Sequence, residues 1–184
     1  MFFVIAFGRR GGVERALAVQ RGTIIALVLA LAGTAAGTSV PRLSLDRIAH
    51  DADRIVYGTV TDVRSGRDEA GLPATWVTLS VVRALKGPVG RELTLKQFGV
   101  DTPLPDGTAA SIPGLPRYVV GEQVVLFLHA DSRRGFTSPI GLGQGTYRVR
   151  HRGGRAVVRG DDVPGQQEDL GAFLDGVGRM AGTP

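Results

Sequence analysis

The chain has 184 residues and no cysteine. That excludes a disulfide framework, thiolate zinc sites, a cysteine nucleophile and a lipid-modified N-terminal cysteine. Lysine is nearly missing as well. Lys86 and Lys96 are the only two among 22 basic residues, and the rest are arginine. Histidine is confined to His50, His129 and His151, far apart in sequence and without the HExxH-type spacing that gathers metal ligands. No serine stands in a G-x-S-x-G elbow. Aromatic residues make up 6% of the chain, so a core has to rest on Val, Leu and Ile.

What is abundant is glycine, with 27 residues, and arginine, which gives most of the formal net charge of +5. Part of that charge lies near the N-terminus, where Arg9, Arg10, Arg15 and Arg21 are opposed only by Glu14. Residues 1–37 read as a secretory signal. Arg15 and Arg21 supply a positive region, Thr23 to Ala32 an uncharged apolar run, and Gly33 to Gly37 the small residues of a cleavage site. The run is shorter than the roughly 20 residues a membrane helix needs. Cleavage near Gly37 and an extracytoplasmic, monomeric protein are therefore expected, with an uncleaved signal as the one route to a membrane. The first twelve residues fit poorly ahead of this signal, and translation from Val13 or Val19 is the alternative start.

Residues 38–160 carry strand signals. Ser44 can cap a short helix over Leu45–His50. Strands are expected at 54–64, 75–85, 91–98, 123–129, 145–150 and 155–159, separated by Gly- and Pro-rich turns. In the first strand, strict alternation puts Ile55, Tyr57, Thr59, Thr61 and Val63 on one side. Val56, Gly58, Val60 and Asp62 then lie on the other. Gly58 in mid-strand signals a bulge or sharp bend. Residues 161–184 hold Leu170, Phe173, Leu174 and Val177 at helical spacing. The pattern predicts a mainly β domain: a small antiparallel OB-like barrel of five to six strands, with a short N-terminal helix and a C-terminal amphipathic helix. Val60, Leu79, Leu93, Val125 and Phe127 are expected inside it.

The order of these signals resembles the netrin-like domain, the OB-type fold of the tissue inhibitors of metalloproteinases. A helix leads through Asp51-Ala52-Asp53 into Ile55-Val56-Tyr57-Gly58-Thr59-Val60. A second strand ends in Ala84-Leu85-Lys86-Gly87, and a third follows directly. Later, Val120-Gly121-Glu122 precedes the apolar Val124-Val125-Leu126-Phe127-Leu128. The likeness covers roughly residues 44–130. Gly143-Gln144-Gly145-Thr146-Tyr147 adds a signpost shared with bacterial secreted proteins of similar pattern. The resemblance implies contact with an extracellular protease. The family's zinc-chelating N-terminal cysteine is absent, so that chemistry does not carry over.

Two surfaces stand out. The loop Gly99–Tyr118 holds four of the ten prolines and is too long for an ordinary connection. Leu104, Ile112, Leu115 and Tyr118 are its candidate partner-binding anchors, unless the loop folds over its own core. The densest basic run follows: Arg133, Arg134, Arg148, Arg150, Arg152, Arg155 and Arg159. Within it, Arg148, Arg150, Arg152 and Arg155 are the candidate anion-binding residues, fitted to an acidic partner or an anionic polymer. Nucleic acid is disfavoured, since such barrels add aromatic stacking platforms. Asp51/Asp53 and Asp161/Asp162 could serve as paired bases, but they more simply flank helix starts or strand ends. Gly141-Leu142-Gly143-Gln144-Gly145 lacks the Lys-Ser/Thr of a phosphate loop and reads as a turn. The favoured function is thus a secreted, non-catalytic binding domain without a cofactor. A hydrolytic or metal-dependent enzyme with an unreadable site and an OB-type binder of anionic polymer remain the alternatives.

Overall fold

The computed structural model describes residues 41–161 and 167–182. The expected signal, with any cleavage at Gly37, lies outside them, as does Asp162. The domain is mainly β. Helix α1 (Leu45–Asp51) leads into seven strands: β1 (Arg54–Arg67), β2 (Pro73–Lys86), β3 (Glu92–Phe98), β4 (Gln123–Leu128), β5 (Thr146–Arg152), β6 (Arg155–Gly160) and β7 (Glu168–Asp169). Helix α2 (Leu170–Gly182) ends the chain. One antiparallel sheet takes the order β3-β2-β1-β4-β5-β6-β7.

Local chemistry explains the boundaries. The Ser44 hydroxyl accepts the Arg47 N–H at 3.2 Å and satisfies one free donor of the first turn of α1. Gly153 and Gly154, at φ 54° and 76°, form the two-residue turn between β5 and β6. Positive φ at both central positions is what a tight hairpin of matching twist demands.

Gly58 sits at a register shift in the β1–β2 ladder, and a Cβ there would lie 2.6 Å from the Ser80 carbonyl oxygen. A second shift at Thr61 corrects the alternation read from the sequence. The extra residue turns Val63 onto the side of Val56 and Val60, opposite Val77.

The five residues expected inside one barrel are all buried, but they divide between two cores. Val60, Leu79 and Leu93 pack with Val56, Val77, Leu95, Val124, Leu126 and Leu128 on one face of the sheet. Val125 and Phe127 lie on the other face, under Ile48 and Ala49 of α1 and Phe173, Leu174 and Val177 of α2. β4 supplies both, because alternate residues of a strand point to opposite faces and Val124 through Leu128 are all buried. The two helices thus cover one face, and the second core, with Tyr118 of the long loop, lies on the other.

The sheet remains open. A single parallel bridge joins Lys96 of β3 to Phe136, and the Thr137 N–H donates to the Lys96 carbonyl at 2.9 Å. The same segment reaches β4, where the Ile140 N–H donates to the Phe127 carbonyl at 2.8 Å. An irregular segment held by isolated bridges, rather than a ladder, spans the gap between β3 and β4. β7, of two residues, makes a short strand at the other edge beside β6.

Candidate functional site

The sheet topology brings the predicted arginines onto one face. In the β5–β6 hairpin, Arg148 is opposite Arg159, Arg150 opposite Val157 and Arg152 opposite Arg155. Directly opposed residues share a face, and so do alternate residues of one strand. Five guanidinium groups therefore stand on one side of two short strands. The reverse side is apolar, where Val149 and Val158 are buried against α2. Arg159, absent from the four sequence candidates, completes the set. Its alternation with Val158 is the signal that marks it.

The five are not equivalent. The Arg148 guanidinium is half-buried and bound to two carboxylates. It pairs with Glu122, and its Nε donates to Asp161 at 2.8 Å. A further N–H donates to the Arg117 carbonyl at 2.8 Å. Burial by itself disfavours the charge, but Asp161 and Glu122 outweigh it and hold the group above the ordinary arginine value. Beneath it lies the Tyr118 ring, 5.9 Å from the guanidinium carbon. Arg148 is therefore a structural tie between β5, the end of the long loop and the strand ends. It is not a free anion ligand as the sequence suggests.

Arg150, Arg152, Arg155 and Arg159 are exposed, and among the described residues none of them forms an ion pair. Arg150, Arg152 and Arg159 border a groove of about 340 Å³ that also touches Val157 and Gln167, while Arg155 lies outside it. The remaining basic residues of the run lie elsewhere. Arg133 and Arg134 belong to the loop beside β3, where the Arg134 carbonyl accepts from the Lys96 ammonium at 3.0 Å.

The long loop divides in two. Tyr118 is 5% exposed and belongs to the core enclosed by β1–β4, with its hydroxyl 3.3 Å from that of Thr146. Burial drives its phenol pKa far up. It is core, not a docking anchor. The physical reason is that the loop returns across the open end of the sheet to enter β4. Leu104 is half-buried in a turn whose Asp106 is held by Arg67 at 2.7 Å. Ile112 and Leu115 line an apolar depression of about 310 Å³ with Phe98, Phe136 and Leu142. Leu142 holds a left-handed backbone, φ 61°, which costs energy in a non-glycine residue.

The other sequence candidates are dispersed. Asp51 is engaged by Arg47 and His50, and Asp53 accepts the Ala130 N–H at 2.7 Å. His151 meets the Gln123 side-chain oxygen at 2.9 Å on the reverse side of the hairpin. Among the described residues, no three His, Cys, Asp or Glu side chains gather as metal ligands. Also among them, no helix is long and apolar enough to cross a membrane.

No protein-family model matches this chain, and no curated protein matches it.

Proposed function

We propose that this chain is a secreted binding domain whose recognition surface is the arginine face of β5–β6, directed at an anionic partner. One observation carries the reading. Like charges directly opposite each other on a sheet destabilise it. At the first rung, Arg148 and Arg159, the protein supplies its own relief through Glu122 and Asp161. At the last rung, Arg152 and Arg155, no described residue does so. Carboxylates or phosphates could be held there by the two guanidinium forks, which grip such groups in bidentate fashion. The groove alongside gives an extended ligand room.

Retention on immobilised heparin tests it. The wild type is expected to bind at low salt, with log K falling linearly against log salt at a slope of about −3 for four free arginines. Arg150→Ser/Arg152→Ser/Arg155→Ser is expected to pass through unretained while melting like the wild type. Equal retention of the two would end the proposal.

A second reading follows the netrin-like resemblance: contact with an extracellular protease at the depression beneath the long loop. Exposed Phe98 and Ile112, at 37% and 39%, favour it, since two large apolar groups rim one hollow. Inhibition of a co-secreted protease, abolished by Phe98→Ser/Ile112→Ser, would support it. Inhibition that survives the change would exclude this surface.

A further inference from the structure

We propose that the arginine face takes an extended, base-free phosphodiester polymer, a polyol-phosphate chain, laid along the β5–β6 hairpin. This rests on the anion-binding reading above.

The argument is one of repeat lengths. Arg150 and Arg152 stand two residues apart on β5, on alternate rungs of the hairpin; Arg148 continues the row but is held by Glu122 and Asp161. Two residues of a polypeptide are six backbone bonds, and in a strand they advance about 6–7 Å. A phosphodiester chain linked through three carbons also repeats every six backbone bonds: phosphorus, oxygen, three carbons, oxygen, phosphorus. When both chains are extended, the phosphate repeat matches this two-residue repeat. One phosphate then falls at every second rung: between Arg152 and Arg155 at the turn, and the next beside Arg150, with Arg159 diagonal to it on β6.

The residue type agrees with the ligand. All the free cations of the face are arginine, whose planar fork pairs two N–H groups with two phosphate oxygens. A bound phosphate at the last rung would relieve the repulsion between Arg152 and Arg155, as the two carboxylates relieve Arg148.

The face also discriminates between phosphodiesters. Single-stranded nucleic acid is held largely by stacking its bases on aromatic rings. Tyr147, the hairpin's one aromatic residue, points to the opposite side, where its ring lies 5.5 Å from Phe127 and 4.8 Å from Phe173. Among the described residues of the arginine face none is aromatic. A chain without bases loses nothing by that.

Fluorescence-anisotropy competition with the full chain tests the assignment. The probes are poly(glycerol phosphate), an oligo-dT, poly-L-glutamate and heparin, matched in total charge. Poly(glycerol phosphate) is expected to bind at least tenfold more tightly than the other three. The pair Arg150→Ser with His151→Arg keeps the number of arginines but moves one guanidinium to the reverse face. It is expected to lose about tenfold for poly(glycerol phosphate). Arg152→Gln, at the exposed turn, is a milder check and should lower the salt slope by about 0.7. Oligo-dT binding as tightly as poly(glycerol phosphate) would overturn the assignment in favour of nucleic acid. Equal binding of poly-L-glutamate or heparin would overturn it while leaving a general anion-binding face intact. No binding of any polyanion at low salt would remove both the assignment and the reading beneath it.

Discussion

The Gln144 side chain holds the backbone of Leu43 as a neighbouring strand would. Its oxygen accepts the Leu43 N–H at 2.7 Å, and its nitrogen donates to the Pro41 carbonyl at 3.1 Å. More than a hundred residues separate the partners, so this pair fixes where the chain enters α1 against the far side of the domain. Gly141 makes the approach possible: at φ 59° it lies so close that a Cβ would sit 3.0 Å from Leu43 and 3.3 Å from Gln144.

Loss of that clamp is expected to cost about 1–3 kcal/mol, because both backbone groups lose a buried partner at once. Gln144→Ala should lower the melting temperature and raise amide exchange at Leu43 selectively. Gln144→Glu should restore the first bond but not the second, and fall between.

Substitution of Gly58 is expected to be costly, because the position is buried at a register shift. The β1–β2 register shift brings the Ser80 carbonyl to 2.6 Å from any Cβ at this position. Gly58→Ala is expected to destabilise by about 2–3 kcal/mol, as overpacking against backbone does. Chemical denaturation measures it. A change below half of that would mean the ladder can shift to admit a methyl group.

The division of the core predicts independence. Leu79 and Phe127 lie in different clusters, on opposite faces of the sheet. Leu79→Ala and Phe127→Ala should each cost about 3–5 kcal/mol. In the double variant the two losses should add to within about 0.5 kcal/mol. A single barrel interior would instead couple them strongly.

Acid sensitivity should arise from carboxylates held by cations. The Lys96 ammonium, 2.8 Å away, and the Leu72 and Ala70 N–H groups lower the Asp68 pKa below its ordinary 3.8. Asp106 is lowered by Thr108 and Arg67. A carboxyl with a depressed folded pKa contributes its stability in full above the unfolded value. It loses that contribution as pH falls through the folded one. Stability is therefore expected to be flat from neutrality down to about pH 5 and to decline below pH 4. Asp68→Asn should flatten the decline in a urea-melt series across that range. An unchanged acid limb would show that Asp68 does not contribute to it.

Much of this fold was legible in the chain because its signals are local. Ser44 before an apolar-periodic segment, Gly153-Gly154 between alternating runs, and Leu170, Phe173, Leu174 and Val177 at helical spacing each act within a few residues. The sequence likewise determined that an arginine-rich hairpin would present alternate guanidinium groups on one side. Pairing of β1 with β2 followed from their matched length and turn.

What depends on distant partners was decided by the tertiary structure. The bulge at Thr61 turned Val63 to the other face, because a ladder with one extra residue inverts the alternation beyond it. Burial of Tyr118 required the long loop to fold back over the sheet's open end. Arg148 looked in sequence like its neighbours Arg150 and Arg152. Only the approach of Glu122 and Asp161 makes it a tie within the fold and leaves its neighbours as the charged surface. Charge along a chain is set by composition. Whether that charge is free depends on which carboxylates the packing brings within a few ångströms.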